Sequence, residues 1–139
     1  MIKLAKNDNE ITDCFHTLKQ LRPELSEDSF VSLVRELMRE GYQLAYLRDE
    51  NKVVCVAGFK ISNSLAVGKN LYIDDLSTLG GSQSKGYGAQ MLNWLRSLAK
   101  KEGCKFLHLD SNVQRYLAHK FYLNQNLYIA SYQFAEKII

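Results

Sequence analysis

Apolar residues change their spacing abruptly at Gly41, and this restricts the chain to folds in which helices lead into a sheet. Before that point Ile11, Cys14, Phe15 and Leu18 recur at helical spacing as far as Pro23, whose missing N–H ends a helix. Ser26 supplies a second N-cap, and Phe30, Leu33, Val34, Leu37 and Met38 form one apolar stripe. Gly41 closes it in the position after the C-cap that glycine favours. A short strand over Ile2 to Ala5 and the polar cap Asn7-Asp8-Asn9 come first, so the chain is predicted to open as a strand and two helices. After Gly41, Tyr42–Leu47 and Val53–Ile61 are rich in β-formers and joined by the polar turn from Arg48 to Lys52, which reads as a hairpin. A polar stretch, Ser62 to Gly68, leads to a third run, Asn70 to Leu79, completing an antiparallel meander.

The second half alternates. A glycine-containing loop, Gly80 to Gly88, precedes a helix with Met91, Leu92, Leu95, Leu98 and Ala99 on one face and Gly103 at its end. Phe106 to Leu109 reads as a short buried strand, Asn112 to about Gln125 as an amphipathic helix, and Leu127 to Phe134 as a closing strand. With 139 residues, 46% of them hydrophobic, the chain can bury a core without staples. There are no repeats or linkers, so residues 1–139 are expected to form one α/β (α+β) domain: a mixed central sheet with an antiparallel meander, flanked by helices.

Several function classes are disfavoured. A net charge of +3 and no long basic run give no footprint for nucleic acid. Cys14, Cys55 and Cys104 are odd in number, far apart and set among apolar neighbours, so free buried thiols are expected and a disulfide framework or metal site is not. The segment Met1–Glu10 is too polar for a secretory leader, and no apolar run approaches membrane-spanning length, so a cytoplasmic protein with no membrane partner is expected.

The loop carries the chemistry. A helix N-terminus presents unpaired N–H groups and a partial positive charge to anions. Gly86 and Gly88 remove side chains where a ligand's oxygens would touch backbone, and Lys85 adds a full charge, which suits a phosphate or pyrophosphate. A Walker A loop counted from Gly81 reaches Gly86 but then meets Tyr87-Gly88 where Lys and Ser/Thr are needed. A dinucleotide fingerprint would need glycine at Met91. Neither nucleotide loop fits, and a bare structural turn stays open on the loop alone.

Gln83-x-x-Gly86-x-Gly88 resembles the Q/R-x-x-G-x-G/A signature of the GNAT N-acetyltransferases. The order of elements is similar over nearly the whole chain, and Ala118 to Leu127 resembles that family's later A-x-x-F/L-Y-x-x-x-G-F segment. The resemblance implies a single GNAT-like domain that moves an acetyl group from acetyl-CoA, as co-substrate, to a primary amine. It implies that the diphosphate rests on backbone N–H groups of Gln83, Ser84, Lys85, Gly86, Tyr87, Gly88 and Ala89. It further implies that Leu76, Ser77 and Thr78 contact the acyl-pantetheine arm by their backbone, with the Leu76 N–H a candidate donor to the thioester carbonyl, where negative charge develops.

Tyr122 matches the family's tyrosine that protonates the departing thiolate. Arg115 stands where the family often has Asn, and is expected to reach a CoA phosphate instead. Asn126 replaces the family's glycine but tolerates left-handed angles, so that turn is expected to persist. The amine must lose a proton before it attacks, and Asp74 and Asp75 are consecutive on the third β-run. Strand alternation sends them to opposite faces, with Asp75 chosen as the cleft-facing base. The three histidines form no site by spacing. Arg22 and Glu24, between the first two helices, are candidates for pairing a substrate carboxylate and an amine, or are surface charges. The acceptor, a small molecule or a protein amine, is unspecified. A non-catalytic acyl-CoA sensor that keeps the loop but not the need for Tyr122, and an interaction domain with no CoA affinity, are the alternatives. A homodimer through Leu127–Phe134 or another sheet edge is a further expectation.

Overall fold

The computed structural model describes residues 1–139, in two compact units, Met1–His108 and Leu109–Ile139. In the first, β1 (Ile2–Leu4), β2 (Tyr42–Asp49), β3 (Lys52–Ser64) and β4 (Gly68–Thr78) pair antiparallel in chain order. β5 (Phe106–Leu109) lies beyond β4, giving a five-stranded mixed sheet of order β1-β2-β3-β4-β5. The meander follows from its turns. Glu50 and Asn51 both take positive φ, 52° and 68°, the pair of left-handed residues that lets a two-residue hairpin match the strand twist.

Three helices cover one face of this sheet: α1 (Asp8–Asp13), α2 (Phe15–Leu21) and α3 (Glu27–Arg39). The single first helix predicted from periodicity is divided at Cys14, which serves as C-cap of α1 and N-cap of α2. The apolar repeat runs straight through the break, so periodicity could not reveal it. Asn7 and Glu10 close a capping box on α1, and Glu10 also accepts from the Tyr46 hydroxyl at 2.9 Å. Ile11, Cys14, Phe15, Leu18, Phe30 and Val34 pack on Tyr42, Leu44 and Tyr46, with Phe15 and Phe30 edge to face at 5.2 Å. Each such side chain stabilises by about 1.5–3 kcal/mol on burial.

The opposite face takes α4 (Tyr87–Lys101), which buries Met91, Leu92, Leu95 and Ala99 and sets Trp94 edge-on to Phe59. Cys14 and Cys55 are buried thiols, whereas Cys104, in the turn after α4, is only half-buried.

The second unit contains α5 (Tyr116–Asn124), shorter than the helix expected from Asn112 because the backbone turns at Val113–Gln114 before it. Asn126 does adopt a left-handed φ of 69°. The Leu127 N–H reaches the Tyr122 carbonyl and the Asn126 N–H that of Leu123, both at 3.1 Å, the two bonds of a glycine-type helix stop. The closing strand expected over Leu127–Phe134 is not formed: residues 127–139 have no regular structure, and Tyr128, Ile129, Tyr132, Phe134, Ile138 and Ile139 are exposed. Their alternation satisfies a strand's pattern, but a strand also needs a neighbouring edge, which composition does not encode.

Candidate active site

Local chemistry sets the end of β4 apart from the rest of the sheet. Phe59 pairs with Ile73 and Gly58 with Asp75, so Asp74 is an extra residue in β4, a β-bulge. Strict alternation, which put Asp74 and Asp75 on opposite faces, therefore fails here. Asp75 points toward the α1–α3 face, where its Oδ1 accepts from Arg22 Nε at 3.0 Å and its Oδ2 from the Tyr42 hydroxyl at 2.7 Å. Arg22 also donates through a second nitrogen to the Asp74 carbonyl at 3.0 Å.

Asp74 feels the charges of Asp75, Lys60 and Arg22, and its Oδ2 is buried without a hydrogen-bond partner. Burial, reinforced by the Asp75 carboxylate, raises the Asp74 carboxyl above its ordinary range. The Tyr42 phenol is buried and pushed well up, first by desolvation and then by Asp75 and Asp74. Both carboxylates thus act on one phenol.

Beyond the bulge, Leu76, Ser77 and Thr78 pair with Ala57, Val56 and Cys55 of β3. The Ser77 hydroxyl donates to the Thr17 carbonyl at 2.8 Å, tying β4 to α2. The Thr78 carbonyl accepts from Gln20 Nε2 at 3.1 Å, while Gln20 Oε1 accepts from the Gly80 N–H at 2.6 Å. One side chain of α2 therefore fixes the place where the loop leaves the strand. β5 lies along the other end of β4: the Lys105 N–H donates to the Lys69 carbonyl at 2.7 Å, and His108 meets Asn70 at 2.9 Å.

In the loop, Gly81 and Gly86 have φ of 88° and 80°, and Gly86 is the N-cap of α4. The Ser82 N–H bonds the Leu79 carbonyl and the Lys85 N–H the Ser82 carbonyl. Gln83 is exposed, and its amide donates to the Thr78 carbonyl at 3.4 Å. The first helical bond is Gln90 N–H to Gly86 carbonyl at 3.1 Å. The N–H groups of Gly86, Tyr87, Gly88 and Ala89 are thus the unpaired donors of a 15-residue helix. A Cβ built on Gly81 or Gly86 meets nothing within 4 Å, so both glycines border open space. Tyr87 leans the other way, its hydroxyl bonded to Asp49. Ser84 and Lys85 are exposed beside these donors.

In the second unit, Arg115 is the N-cap of α5 and Tyr122 lies two turns on. Burial raises the Tyr122 phenol above its ordinary range, with the Arg115 charge pulling the other way. His119 bonds the Asn112 carbonyl at 2.8 Å within this unit; in the first unit, His108 meets Asn70 and exposed His16 lies beside Glu27, so neither of those two joins the bulge. The residues that sequence reading passed over are Tyr42, Gly58 and Gln20. Gly58 had a signal, since glycine inside a β-forming run marks a bulge or close approach. A Cβ there would lie 1.7 Å from the Tyr42 hydroxyl oxygen.

Comparison with known proteins places these features in a family. The profile of the Acetyltransferase (GNAT) family matches residues 8–126. An uncharacterised N-acetyltransferase of Bacillus subtilis strain 168, YhdJ, is 29% identical over 139 residues, covering 99% of this chain and 98% of its own. Among solved structures, a protein of Bacillus halodurans C-125 described as a transcriptional regulator superposes with a TM-score of 0.83 at 22% identity, over 100% of this chain and 99% of its own. AAC(6')-Iy, in complex with the bisubstrate analogue CoA-S-monomethyl-acetylneamine, superposes with a TM-score of 0.83 at 12% identity, over 99% and 96%.

Proposed function

Because this chain belongs to the GNAT acetyltransferase family and is an acetyl-CoA-dependent N-acetyltransferase, we propose that it acetylates a primary amine by direct attack, using the β4 bulge and the α4 loop as its two halves. The observation that carries this reading is the row of unpaired N–H groups from Gly86 to Ala89, opening onto free space beyond the end of β4. Glycine backbone and the helix dipole suit the diphosphate of CoA, and Gln83, Ser84 and Lys85 border the same space. Leu76, Ser77 and Thr78 line the path of the pantetheine arm, and the Leu76 N–H is assigned to the thioester carbonyl. When bound, acetyl-CoA supplies an activated acyl group with a thiolate leaving group.

The residues then divide the proton work. A carboxylate of the Asp74–Asp75 pair takes a proton from the ammonium, whose ordinary pKa is about 10.4. Tyr122 acts as general acid toward the departing sulfur. Its raised pKa keeps the phenol protonated through neutral and mildly alkaline pH, as a donor requires. Arg115 is assigned to a CoA phosphate. No metal enters this reading, and cytoplasmic placement is part of it; no helix is long and apolar enough to cross a membrane. The exposed apolar tail from Tyr128 to Ile139 supports a homodimer in which it pairs with a second copy.

Calorimetry with acetyl-CoA tests the proposal. Wild-type protein is expected to bind, and Gly86→Glu, which places bulk and negative charge on the loop, to lose binding while staying folded. Tyr122→Phe is expected to lower kcat by about 100-fold with acetyl-CoA affinity retained. Absence of wild-type binding, or binding indifferent to Gly86→Glu, overturns the loop assignment.

A further inference from the structure

The α4 loop is tied at both ends to elements distant in the chain. At its start, Gln20 of α2 reaches across Leu79: its Nε2 donates to the Thr78 carbonyl at 3.1 Å and its Oε1 accepts from the Gly80 N–H at 2.6 Å. At its finish, the Tyr87 hydroxyl donates to Asp49 Oδ2. Asp49 belongs to the last pair of the β2–β3 hairpin, opposite Lys52. That end of the hairpin is itself well fixed. Glu50 and Asn51 close it with left-handed angles, and Val54 is an extra residue in β3, a bulge. The Val54 carbonyl accepts from the Leu79 N–H at 2.8 Å. The end of β4, the hairpin and the start of α4 are thereby joined.

Tyr87 is the first residue of α4, and its own N–H is one of the four unpaired donors. Tying its side chain to the hairpin therefore fixes the turn that presents those donors. Between the two ties, Gly81 and Gly86 stand at left-handed angles and Ser84 and Lys85 are exposed. Glycine-rich backbone has much conformational freedom, so its order must come from the ends. The Asp49 carboxylate is otherwise out of place. Its charge and that of Glu50 both reach Tyr87, and negative charge near a diphosphate repels it. A hydrogen bond that holds the helix start explains why an acceptor stands there.

We infer that Asp49 and Tyr87 form a positioning pair that orders the N–H groups of Gly86 to Ala89 before the CoA diphosphate arrives. This rests on the acetyl-CoA reading above and deepens it, giving a residue outside the loop a part in cofactor affinity. A loop already ordered loses little conformational entropy on binding. The pair acts at the diphosphate end, so its effect falls on affinity for that group.

Calorimetry with acetyl-CoA tests the pair, together with competition by S-acetylpantetheine, which carries the same acyl arm without the diphosphate. Tyr87→Phe keeps the ring and removes only the donor. It is expected to weaken acetyl-CoA binding by about tenfold, the effect of one hydrogen bond to a charged group. Asp49→Ala should do the same and leave competition by S-acetylpantetheine unchanged. The double variant should bind no more weakly than either single one, because one bond is lost only once. Asp49→Asn keeps an acceptor and removes the repelling charge, so it should bind at least as tightly as wild type. Thermal melts establish that each variant is folded, and Tyr87→Phe decides the matter if Asp49→Ala is not. Wild-type affinity in folded Tyr87→Phe, losses that multiply in the double variant, Asp49→Asn as weak as Asp49→Ala, or an equal loss toward S-acetylpantetheine would each overturn the inference. Failure of the wild type to bind acetyl-CoA would instead remove the reading beneath it.

Discussion

The β4 bulge and the α4 loop sit close together in sequence yet are built by opposite means. At the bulge, Arg22 after α2 and Tyr42 of β2, given room by Gly58 of β3, converge on Asp75 and hold both of its oxygens. At the loop, side chains are largely withdrawn, and what is presented is backbone: four unpaired N–H groups and two left-handed glycines facing open space. On the function proposed above, the contrast matches what each region would serve. A diphosphate is large, charged and bound through many donors, so a dipole and bare amides suffice. A carboxylate held at a fixed angle needs donors placed by packing to keep it there.

If this contrast is right, the bulge should fail through packing and the loop through backbone angle. The largest effect is expected from Gly58→Ala. Its Cβ would lie 1.7 Å from the Tyr42 hydroxyl oxygen, so the ring must move and Asp75 loses its donor. A loss of about 3 kcal/mol or more in chemical denaturation combines overpacking with a broken bond to a charged group. Tyr42→Phe isolates the second part and should cost about 1.5–3 kcal/mol by the same measurement. Gly86→Ala meets no atom but must hold a φ of 80°, so its cost should be about 1–2 kcal/mol, with weaker acetyl-CoA binding by calorimetry. An equal cost for Gly86→Ala and Gly58→Ala would erase the distinction.

A pH effect serves as a control away from both places. Backbone N–H groups of Lys6 and Asn7, then the Tyr46 hydroxyl, hold the Glu10 carboxyl below its ordinary range. A depressed acid contributes stability that is present above the unfolded value of about 4.3 and lost as pH falls through the lower folded one. Glu10→Gln should flatten that part of the stability profile, read by thermal melts, while leaving acetyl-CoA binding alone.

Much of this was legible in the sequence because it depends on local rules. The meander, the α4 stripe and the glycine loop follow from residue type and spacing, and the left-handed turn at Asn126 from the resemblance to a family glycine at that place. Asp74 and Asp75 were found as the carboxylates at issue, but their directions were not, because alternation assumes a strand without a bulge. Arg22 was read as a partner for substrate or solvent, and the structure commits it to Asp75. That pairing joins residues far apart in the chain, and nothing in either segment announces it. The same limit explains Leu127–Phe134, whose pattern describes half of a strand pair.

The pairing of β3 with β4 carries one more implication. Ile73 stays opposite Phe59 and Asp75 opposite Gly58, and from there to Thr78 the partners run on without a break. Deleting Asp74 would therefore leave every downstream residue with its present neighbour and present side of the sheet. As architecture, position 74 is surplus: a protein one residue shorter would have a more regular strand and the same core. Ancestry or engineering could remove the residue and keep the scaffold, so what holds this position in place is something other than the sheet.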